Sequence, residues 1–395
     1  MLAPGMQRIT PLKEITVSHE WNGVGMAQRD FEESVWSPAT HSPDLTSLAG
    51  RSGIPVRLIT LLSATMALGM LACTSEESPT EPSASARAAV AVYTAVDLGT
   101  LPGGNESQAT DLNPAGWVVG SSRTQGNDHA FLWKMGVMTD LGTLGGAFSR
   151  AAGINPAGKV VGVSTTTISV GGRAFLWTKG VMTDLGTLGG IAAGAQAINP
   201  SGQVVGASFT AAGEVHAFLW ERGVMTDLGT LGGVSSNSTD INPRGQVVGY
   251  SETSAGQLHA FLWEHGVMTD LGTLGGASSF AEGINSKGQV VGSATTAVGV
   301  THAFLWEKGV MTDLGTLGGN FAEARDINPA GQVVGHSQTA TGEEHAFIWS
   351  KGVMSDLGTL GGDYGQAFAV NPAGNIVGES ETATGEIHAT FWTRK

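Results

Sequence analysis

The sequence is poor in cysteine and in charged residues. Its 395 residues include one cysteine, Cys73, so the chain has no second cysteine for an internal disulfide or for a zinc site built on several cysteines. Only 14% of the residues are charged, and Asp and Glu outnumber Lys and Arg by 34 to 20. We expect no nucleic-acid partner, because proteins that bind the phosphate backbone cluster lysine and arginine on one surface.

Sequences typical of catalytic and nucleotide-binding sites are also missing. No G-x-G-x-x-G or Walker segment leads into a helix pattern, and neither G-x-S-x-G nor H-E-x-x-H occurs. We predict no catalytic residue and no cofactor, which makes an enzyme the less favoured class without excluding it. Glycine is abundant, with 59 residues, and it occurs with valine, threonine and tryptophan, a composition that favours a β-rich repeat protein over a helical bundle.

The first ninety residues differ in character from the rest of the chain. Residues 1–50 show no periodic pattern, and we predict that they are disordered or precede the true translation start. Residues 51–72 have the basic start and short apolar core of an export signal, and that core is too short for a membrane-spanning helix. Residues 73–90 are rich in serine, proline and glutamate, which is typical of a flexible linker.

The end of the apolar segment, Met70-Leu71-Ala72-Cys73, resembles the lipobox of bacterial lipoproteins. In those proteins the cysteine is lipidated and becomes the new N-terminus after cleavage. The resemblance implies lipidation of Cys73 and a place on the cell surface or outer membrane. The alternative is an ordinary signal peptide with an incidental cysteine, which predicts secretion without an anchor.

Residues 91–395 repeat one unit with a period of 43 or 44 residues. Three segments, DLGTLGG, NPxGxVVG and HAFLW, each occur seven times with small variations. The turn residues between them divide each unit into four short strands. A radial ring of four-stranded antiparallel meanders is a β-propeller, and a period near 43 belongs to such repeats. We therefore predict an all-β, seven-bladed β-propeller that behaves as a monomer.

The two ends of the repeat region complement each other. Residues 92–101 have the pattern of a fourth strand with nothing before it, and residues 388–395 have the pattern of a third strand with nothing after it. We predict that the N-terminal strand completes the last blade, with residues 97–101 beside Phe391 and Trp392. This pairing would leave no open sheet edge at the join.

The turn after each HAFLW segment has two possible forms. A type I turn with a glycine bulge accepts almost any residue pair before the glycine, and we favour it for that reason. A two-residue type I′ turn prefers Asn-Gly or Asp-Gly, which none of the copies has. The type I′ register would set His129 opposite Asp140, and Arg173, which replaces the histidine in the second copy, opposite Asp184. The sequence alone does not decide between the bulge register and the type I′ register.

The segments HAFLW, MTDLGTLGG and INPxGQVVG resemble the HAF-type bacterial extracellular repeat family. The resemblance covers residues from about 92 to 395, with seven copies. It implies export and a propeller-like fold. It implies no activity, substrate or catalytic residue, so none is transferred to this chain.

Most residues that could bind a metal recur at the same position in each repeat unit. The six HAF histidines and the seven DLG aspartates recur once per unit, so we expect symmetry to hold them apart in structural roles. We predict no metal site. The weak candidates are Asp111, Asp240 and Asp326, which precede the apolar residue of the innermost strand and would line the channel if that face points inward. The alternative is that they cap the Asn-Pro turns or lie in solvent.

Comparison of the copies points to a binding surface. The Asn-Pro turns are nearly constant, whereas the segments after LGG differ in every copy, and we predict that these segments are loops around the channel mouth. We therefore predict a binding or interaction module with an unknown glycan, envelope or protein partner. The alternatives are an exported glycan lyase or hydrolase, and a structural envelope protein. The candidate binding residues are Asn105, Glu106, Arg150, Asn237, Phe280, Glu282, Asn320, Phe321, Glu323, Asp363 and Tyr364.

Overall fold

The computed structural model describes residues 93–394, except residues 125, 169 and 170. This part of the chain contains 28 β-strands. The predicted disordered start, export signal, lipidation site and linker all lie outside the described residues. Within the described part of the chain, no helix has the length and apolar character needed to cross a membrane.

The first six copies of the repeat each form four strands, from an inner strand at or after LGG to an outer strand that ends at the DLG aspartate, and the last copy forms three. A single strand, β1 (Tyr93–Asp97), precedes the first copy. In the first four copies the strands are β2 (Ser107–Leu112), β3 (Val118–Thr124), β4 (Asn127–Lys134), β5 (Val137–Asp140), β6 (Gly145–Ile154), β7 (Val160–Thr166), β8 (Arg173–Thr178), β9 (Val181–Asp184), β10 (Gly189–Ile198), β11 (Val204–Thr210), β12 (Val215–Glu221), β13 (Val224–Asp227), β14 (Gly232–Ile241), β15 (Val247–Thr253), β16 (Leu258–Glu264) and β17 (Val267–Asp270). In the last three copies they are β18 (Gly275–Ile284), β19 (Val290–Thr296), β20 (Thr301–Glu307), β21 (Val310–Asp313), β22 (Gly318–Ile327), β23 (Val333–Thr339), β24 (Glu344–Ser350), β25 (Val353–Asp356), β26 (Gly361–Val370), β27 (Ile376–Thr382) and β28 (Ile387–Arg394).

The strands of each copy pair antiparallel in sequence order. The first four copies form separate four-stranded sheets, β2–β5, β6–β9, β10–β13 and β14–β17. The last three copies and β1 are joined in one twelve-stranded sheet, because single parallel bridges link β20 to β22 and β24 to β26. Repeated four-stranded meanders that pack face to face make the fold an all-β propeller, as the composition and period predict.

The hydrophobic core lies between neighbouring sheets. Each cluster combines one face of a sheet with the opposite face of the next, as where Val248 and Ala260 pack against Ile284 and Phe304. The phenylalanine of HAFLW is fully buried in six copies, whereas the tryptophans of these copies are only partly buried at the cluster margins. Burial of these rings at every sheet interface supplies much of the apolar area that stabilises the repeat.

The N-terminal strand pairs with the last strand, as expected from the complementary ends. Strand β1 runs antiparallel to β28, with Val96 opposite Phe391 and Asp97 opposite Thr390. The predicted pairing of residues 97–101 is wrong in register. Strand β1 ends at Asp97 because its carboxylate accepts a hydrogen bond from the backbone N–H of Gly99, at 2.7 Å, and this tight turn ends the extended segment.

The turn after HAFLW is the two-residue form, and the favoured glycine bulge is wrong. Met135 and Gly136 both have positive φ, 52° and 84°, and Phe131 is opposite Asp140. The twist of the flanking strands requires this geometry. In six copies a non-glycine residue therefore adopts the left-handed region. His129 is thus diagonal to Asp140 rather than directly opposite, and its Nδ1 is 2.8 Å from Asp140 Oδ2.

The Asn-Pro turns carry a cycle of side-chain hydrogen bonds. The asparagine of each turn donates from Nδ2 to the backbone carbonyl of the asparagine in the next copy, at 3.1 to 3.5 Å. The cycle begins with Asn113, which donates to Asn155, and ends with Asn371, which donates back to Asn113. These asparagines are at most 3% exposed, so the near-constant sequence of the turns reflects a structural role.

Candidate binding site on the inner strands

The segments after LGG are strands rather than loops, which corrects the prediction for six copies. The inner strand begins at the first glycine of the LGG segment. In the second copy this residue is Gly145, whose φ of +101° turns the chain into the sheet. A parallel bridge from Leu144 to Thr166 and the pairing of Gly145 with the same threonine hold this start in place. Only the first copy has a short connection at this point, with Asn105 and Glu106 ahead of β2.

The candidate binding residues are therefore distributed over both faces of inner strands. Asn320 and Asp363 are exposed at the strand starts, and their backbone N–H groups bond to Gln338 and Glu381. Asn105 is also exposed. These three residues are exposed, whereas the other candidates are half-buried or buried.

Two further pairs of candidates lie in small groups of their own. Asn237 is buried and donates from Nδ2 to the hydroxyl of Tyr250, whose ring packs edge-on against Phe280 at 5.1 Å between centroids. Arg150 and Glu106 are joined indirectly. The guanidinium of Arg150 is 2.7 Å from Asp128, and Arg123 contacts both Asp128, at 3.6 Å, and Glu106, at 2.9 Å.

The remaining candidates meet in one place. Glu282, Phe321, Glu323 and Tyr364 come from three consecutive inner strands, β18, β22 and β26. They converge with residues that the sequence comparison had missed. We call this group the polar cluster, and its ionisable and amide members are Gln108, Glu282, Glu323, Arg325, His336, Glu344, Tyr364, Gln366 and Glu379.

Arg325 is the central cation of the polar cluster. Its Nη1 is 3.1 Å from Glu323 Oε1 on the same strand and 3.7 Å from Glu282 Oε2 on the neighbouring inner strand. The guanidinium also lies 5.8 Å from the ring centroid of Phe368. The side chains of Arg325 and Glu323 are only 7% and 9% exposed, so this pair lies in an environment with little solvent screening.

His336 and Gln366 lie on the other side of Glu323. His336 Nε2 is 3.8 Å from Glu323 Oε2 and 3.8 Å from Glu344 Oε1. Gln366 donates from Nε2 to the same Glu344 oxygen. The ring of Phe321 packs against His336, with 5.5 Å between centroids. Glu344 is therefore shared by two side chains from different strands.

Glu379 connects the last copy to the first. Its Oε1 accepts a hydrogen bond of 2.6 Å from the Tyr364 hydroxyl, and its Oε2 accepts one of 2.8 Å from Gln108 Nε2. Tyr364 is the partner of Glu344 in the parallel bridge between β24 and β26, so this group lies next to the one around Arg325. The members of the polar cluster on β18, β22 and β26 occupy the fourth to eighth positions of these ten-residue strands, between the LGG glycines and the Asn-Pro turns.

Burial dominates the electrostatics of the polar cluster. It raises the pKa of Glu282 to about 7, although Arg325 acts in the other direction. Burial also raises the pKa of Glu323 and of Glu379. Burial and the charge of Arg325 together hold the pKa of His336 well below its ordinary value. At neutral pH the cluster therefore holds a neutral imidazole and carboxylates that ionise at a cost.

The three aspartates considered as weak metal candidates tie inner strands together. Asp326 accepts from the backbone N–H of Ile327 at 2.6 Å and from that of Val370, on the next inner strand, at 2.7 Å. Asp111 and Asp240 make the same pair of bonds in their copies. Across residues 93–394 with their three gaps, no three or more His, Cys, Asp or Glu side chains are grouped as a metal ion requires. The aspartates therefore act as links between sheets.

His336 and Glu379 were missed because the comparison of copies stopped at the segments after LGG. Both occupy the fourth position of the second strand, where they face the inner strand. The same position varies from copy to copy, which is a signal that the sequence contains. Its occupants, in order, are Ser121, Val163, Ala207, Tyr250, Ser293, His336 and Glu379.

Raising the pH from 5 to 8 is expected to lower the free energy of unfolding. Burial raises the pKa of Glu282 and of Asp326 to about 7, so below that pH the folded protein holds protons that the unfolded chain has released. This stabilisation is complete below the ordinary carboxyl pKa and is lost as pH rises through 7. At about 1.4 kcal/mol per pKa unit, the loss from these two groups is a few kcal/mol, which exceeds the opposite contribution of His336, whose pKa is lowered. Urea unfolding at both pH values measures it.

Glu282→Gln is the matched control for that measurement. The amide cannot release a proton, so the variant is expected to show a smaller difference between pH 5 and pH 8 than the parent protein. If the parent protein has the same free energy of unfolding at both pH values, or a higher one at pH 8, these carboxyls are ionised in the folded state at pH 5.

Comparison with known proteins finds structural similarity at low sequence identity. No protein-family model matches the chain, and no curated protein matches it in sequence. Similar solved structures include the β-propeller domain of the Trilobed protease from Pyrococcus furiosus, with a TM-score of 0.49, 11% identity, and coverage of 74% of this chain and 95% of that one. TolB from Acinetobacter baumannii has a TM-score of 0.43 and 11% identity over 64% of this chain and 63% of TolB, so the chain spans less than two thirds of that protein. A streptogramin B lyase has a TM-score of 0.41 and 9% identity, over 77% and 98% of the two chains.

Proposed function

We propose that the protein is a binding module that takes its ligand at the polar cluster. The observation that carries this proposal is the concentration of departures from the repeat in one place. Where the sixth copy pairs Glu323 with His336, the third copy pairs Gly194 with Ala207. The sheet therefore folds without charge at this position, and burying charge costs free energy. A recognition role explains why several neighbouring copies accept that cost.

The proposal includes a closed ring of seven blades. Two observations support it. The side-chain hydrogen bonds of the Asn-Pro turns return from Asn371 to Asn113 after seven steps. In addition, β1 pairs with β28, so the three strands of the last copy are completed by a fourth. A closed ring gives the inner strands the rigidity that a preorganised site needs.

We further propose that the chain belongs to the HAF-type extracellular repeat family and is exported as a lipoprotein. The support is the repeat itself and the lipobox-like segment that ends at Cys73. Cys73→Ser is expected to move the protein from the membrane fraction to the soluble fraction in fractionated cells. Recovery of the unaltered protein from the culture medium would contradict the anchor and leave simple secretion.

Binding to an array of glycans, envelope polymers and peptides tests the proposed function. We expect at least one ligand to bind the full chain, and Tyr364→Ala to weaken that binding tenfold or more, because this half-buried ring lies among the candidates at the polar cluster. Arg244→Ala, at an exposed Asn-Pro turn, is the matched control and is expected to have no effect. Equal loss from the two variants, with melting temperatures unchanged, would argue against a site at the polar cluster.

A further inference from the structure

The polar cluster has more acidic than basic side chains. Glu282 and Glu323 contact the guanidinium of Arg325, Glu344 contacts His336 and Gln366, and Glu379 contacts Tyr364 and Gln108 and also experiences the charge of Arg150. With all four carboxylates ionised, the negative charge exceeds the positive charge among these residues. Such an excess in a poorly hydrated place is unfavourable unless something else supplies positive charge.

Two buried acceptor atoms in the cluster have no hydrogen-bond partner, and one donor atom, Nε of Arg325, makes no hydrogen bond while Nη1 of the same guanidinium contacts Glu282 and Glu323. Gln366 Oε1 is one of the acceptors, and the orientation of this amide is set because its Nε2 donates to Glu344. His336 Nδ1 is the other. Since His336 Nε2 faces the carboxylates of Glu323 and Glu344, we assign the ring proton to Nε2, which leaves Nδ1 as an acceptor. Gln366 and His336 are 2% and 1% exposed, so water does not satisfy them freely.

The surroundings of these atoms suit a flat or compact cation. The ring of Phe321 lies against His336, and Tyr364 lies half-buried on the adjacent strand. Aromatic faces attract ammonium and guanidinium groups. The side chains of Glu282 and Glu344 are 20% and 28% exposed, so the cluster is open to solvent at these two positions. A ligand group can therefore reach the carboxylates of Glu282 and Glu344.

We propose that the polar cluster binds an organic cation that carries several N–H donors, a guanidinium or a primary ammonium group. This inference rests on the proposed function and names the ligand chemistry. Such a group supplies donors and positive charge together, whereas a neutral hydroxyl group adds an acceptor with each donor and leaves the carboxylates uncompensated. The group is presented by a peptide side chain or by an amino sugar.

Titration calorimetry of the full chain with matched pairs of small molecules tests the inference. The pairs are n-butylguanidinium with n-butylurea, and glucosamine with N-acetylglucosamine. We expect at least one of the cations to bind, and its neutral partner to bind at least tenfold more weakly. The pair that shows the difference identifies the source of the cation. Glu323→Gln is expected to weaken cation binding tenfold or more, and Glu307→Gln, which removes a charge outside the cluster, is expected to leave it unchanged.

A second readout separates recognition from a structural role of Glu323. Because burial raises the pKa of Glu282 and of Glu323, a bound cation will favour their ionised forms and release protons near pH 7. The observed binding enthalpy is then expected to depend on the ionisation enthalpy of the buffer. If Glu323→Gln does not fold, Glu344→Gln replaces it, because Glu344 is the more exposed partner.

Two results would overturn the inference. One is binding of a neutral partner as tight as that of its cation, and the other is no binding of either cation. If an array ligand without a cation binds and Tyr364→Ala removes that binding, the cation inference fails while the binding module stands. If no ligand of any class binds at the polar cluster, both proposals fail together.

Discussion

Deletion of residues 93–97 is expected to abolish the cooperative thermal unfolding of the protein. This deletion removes β1 and leaves β28 as an open edge with unpaired backbone groups. Tyr93 and Ala95 pack against the last hydrophobic cluster, in which Trp392 is fully buried, so the deletion also exposes that core. We expect a loss of at least about 5 kcal/mol, which is comparable to the whole stability of many domains. Calorimetry and limited proteolysis measure the effect.

Deletion of residues 80–84, in the segment predicted to be a linker, is the matched control. It shortens the chain by the same length upstream of β1 and is expected to leave the melting transition in place. If the protein without β1 melts at the same temperature and with the same cooperativity as the parent, closure by the N-terminal strand contributes nothing to stability.

Arg325→Met is expected to lower the free energy of unfolding by about 3 to 5 kcal/mol at pH 8. The substitution keeps an unbranched apolar side chain but removes the cation between Glu282 and Glu323. The carboxylates of Glu282 and Glu323, 20% and 9% exposed, then lose the positive charge that both contact. At pH 5 the loss is expected to be smaller, because the pKa of Glu282 is about 7 and burial raises that of Glu323. Urea unfolding at both pH values gives the two numbers.

Arg123→Met is the control, because it removes another arginine that pairs with two acidic side chains. Arg123 is 50% exposed, and an exposed ion pair contributes less than about 1 kcal/mol. A loss for Arg325→Met as small as that for Arg123→Met, or one that does not change with pH, would show that Arg325 has no special electrostatic role in the cluster.

Much of the architecture can be predicted from the sequence because the same pattern of strands and turns occurs in every repeat. The period, the Asn-Pro turn and the complementary ends predict four-stranded sheets and the pairing of β1 with β28. The conserved spacing of His129 and Asp140 within each unit also predicts a structural pair, although not its diagonal register. These predictions succeed because the pattern shared by seven copies is not hidden by the substitutions in any one copy.

Other features depend on tertiary structure that no single segment encodes. Positive φ at Met135 or Lys179 goes against residue preference, and the twist of the paired strands decides it. The segments after LGG have the composition of loops, but pairing with the second strand makes them strands. The polar cluster joins Gln108 to Glu379, which lie 271 residues apart, so packing of the first copy against the last brings them together.

Hydrogen–deuterium exchange of the full chain, with and without the tightest array ligand at saturation, tests the central claim most directly. The ligand is expected to slow exchange in the inner strands that carry the polar cluster, β18, β22 and β26, and to leave the Asn-Pro turns and the outer strands unchanged. Protection confined to the Asn-Pro turns or to the outer strands, with none in these three inner strands, would contradict a binding site at the polar cluster.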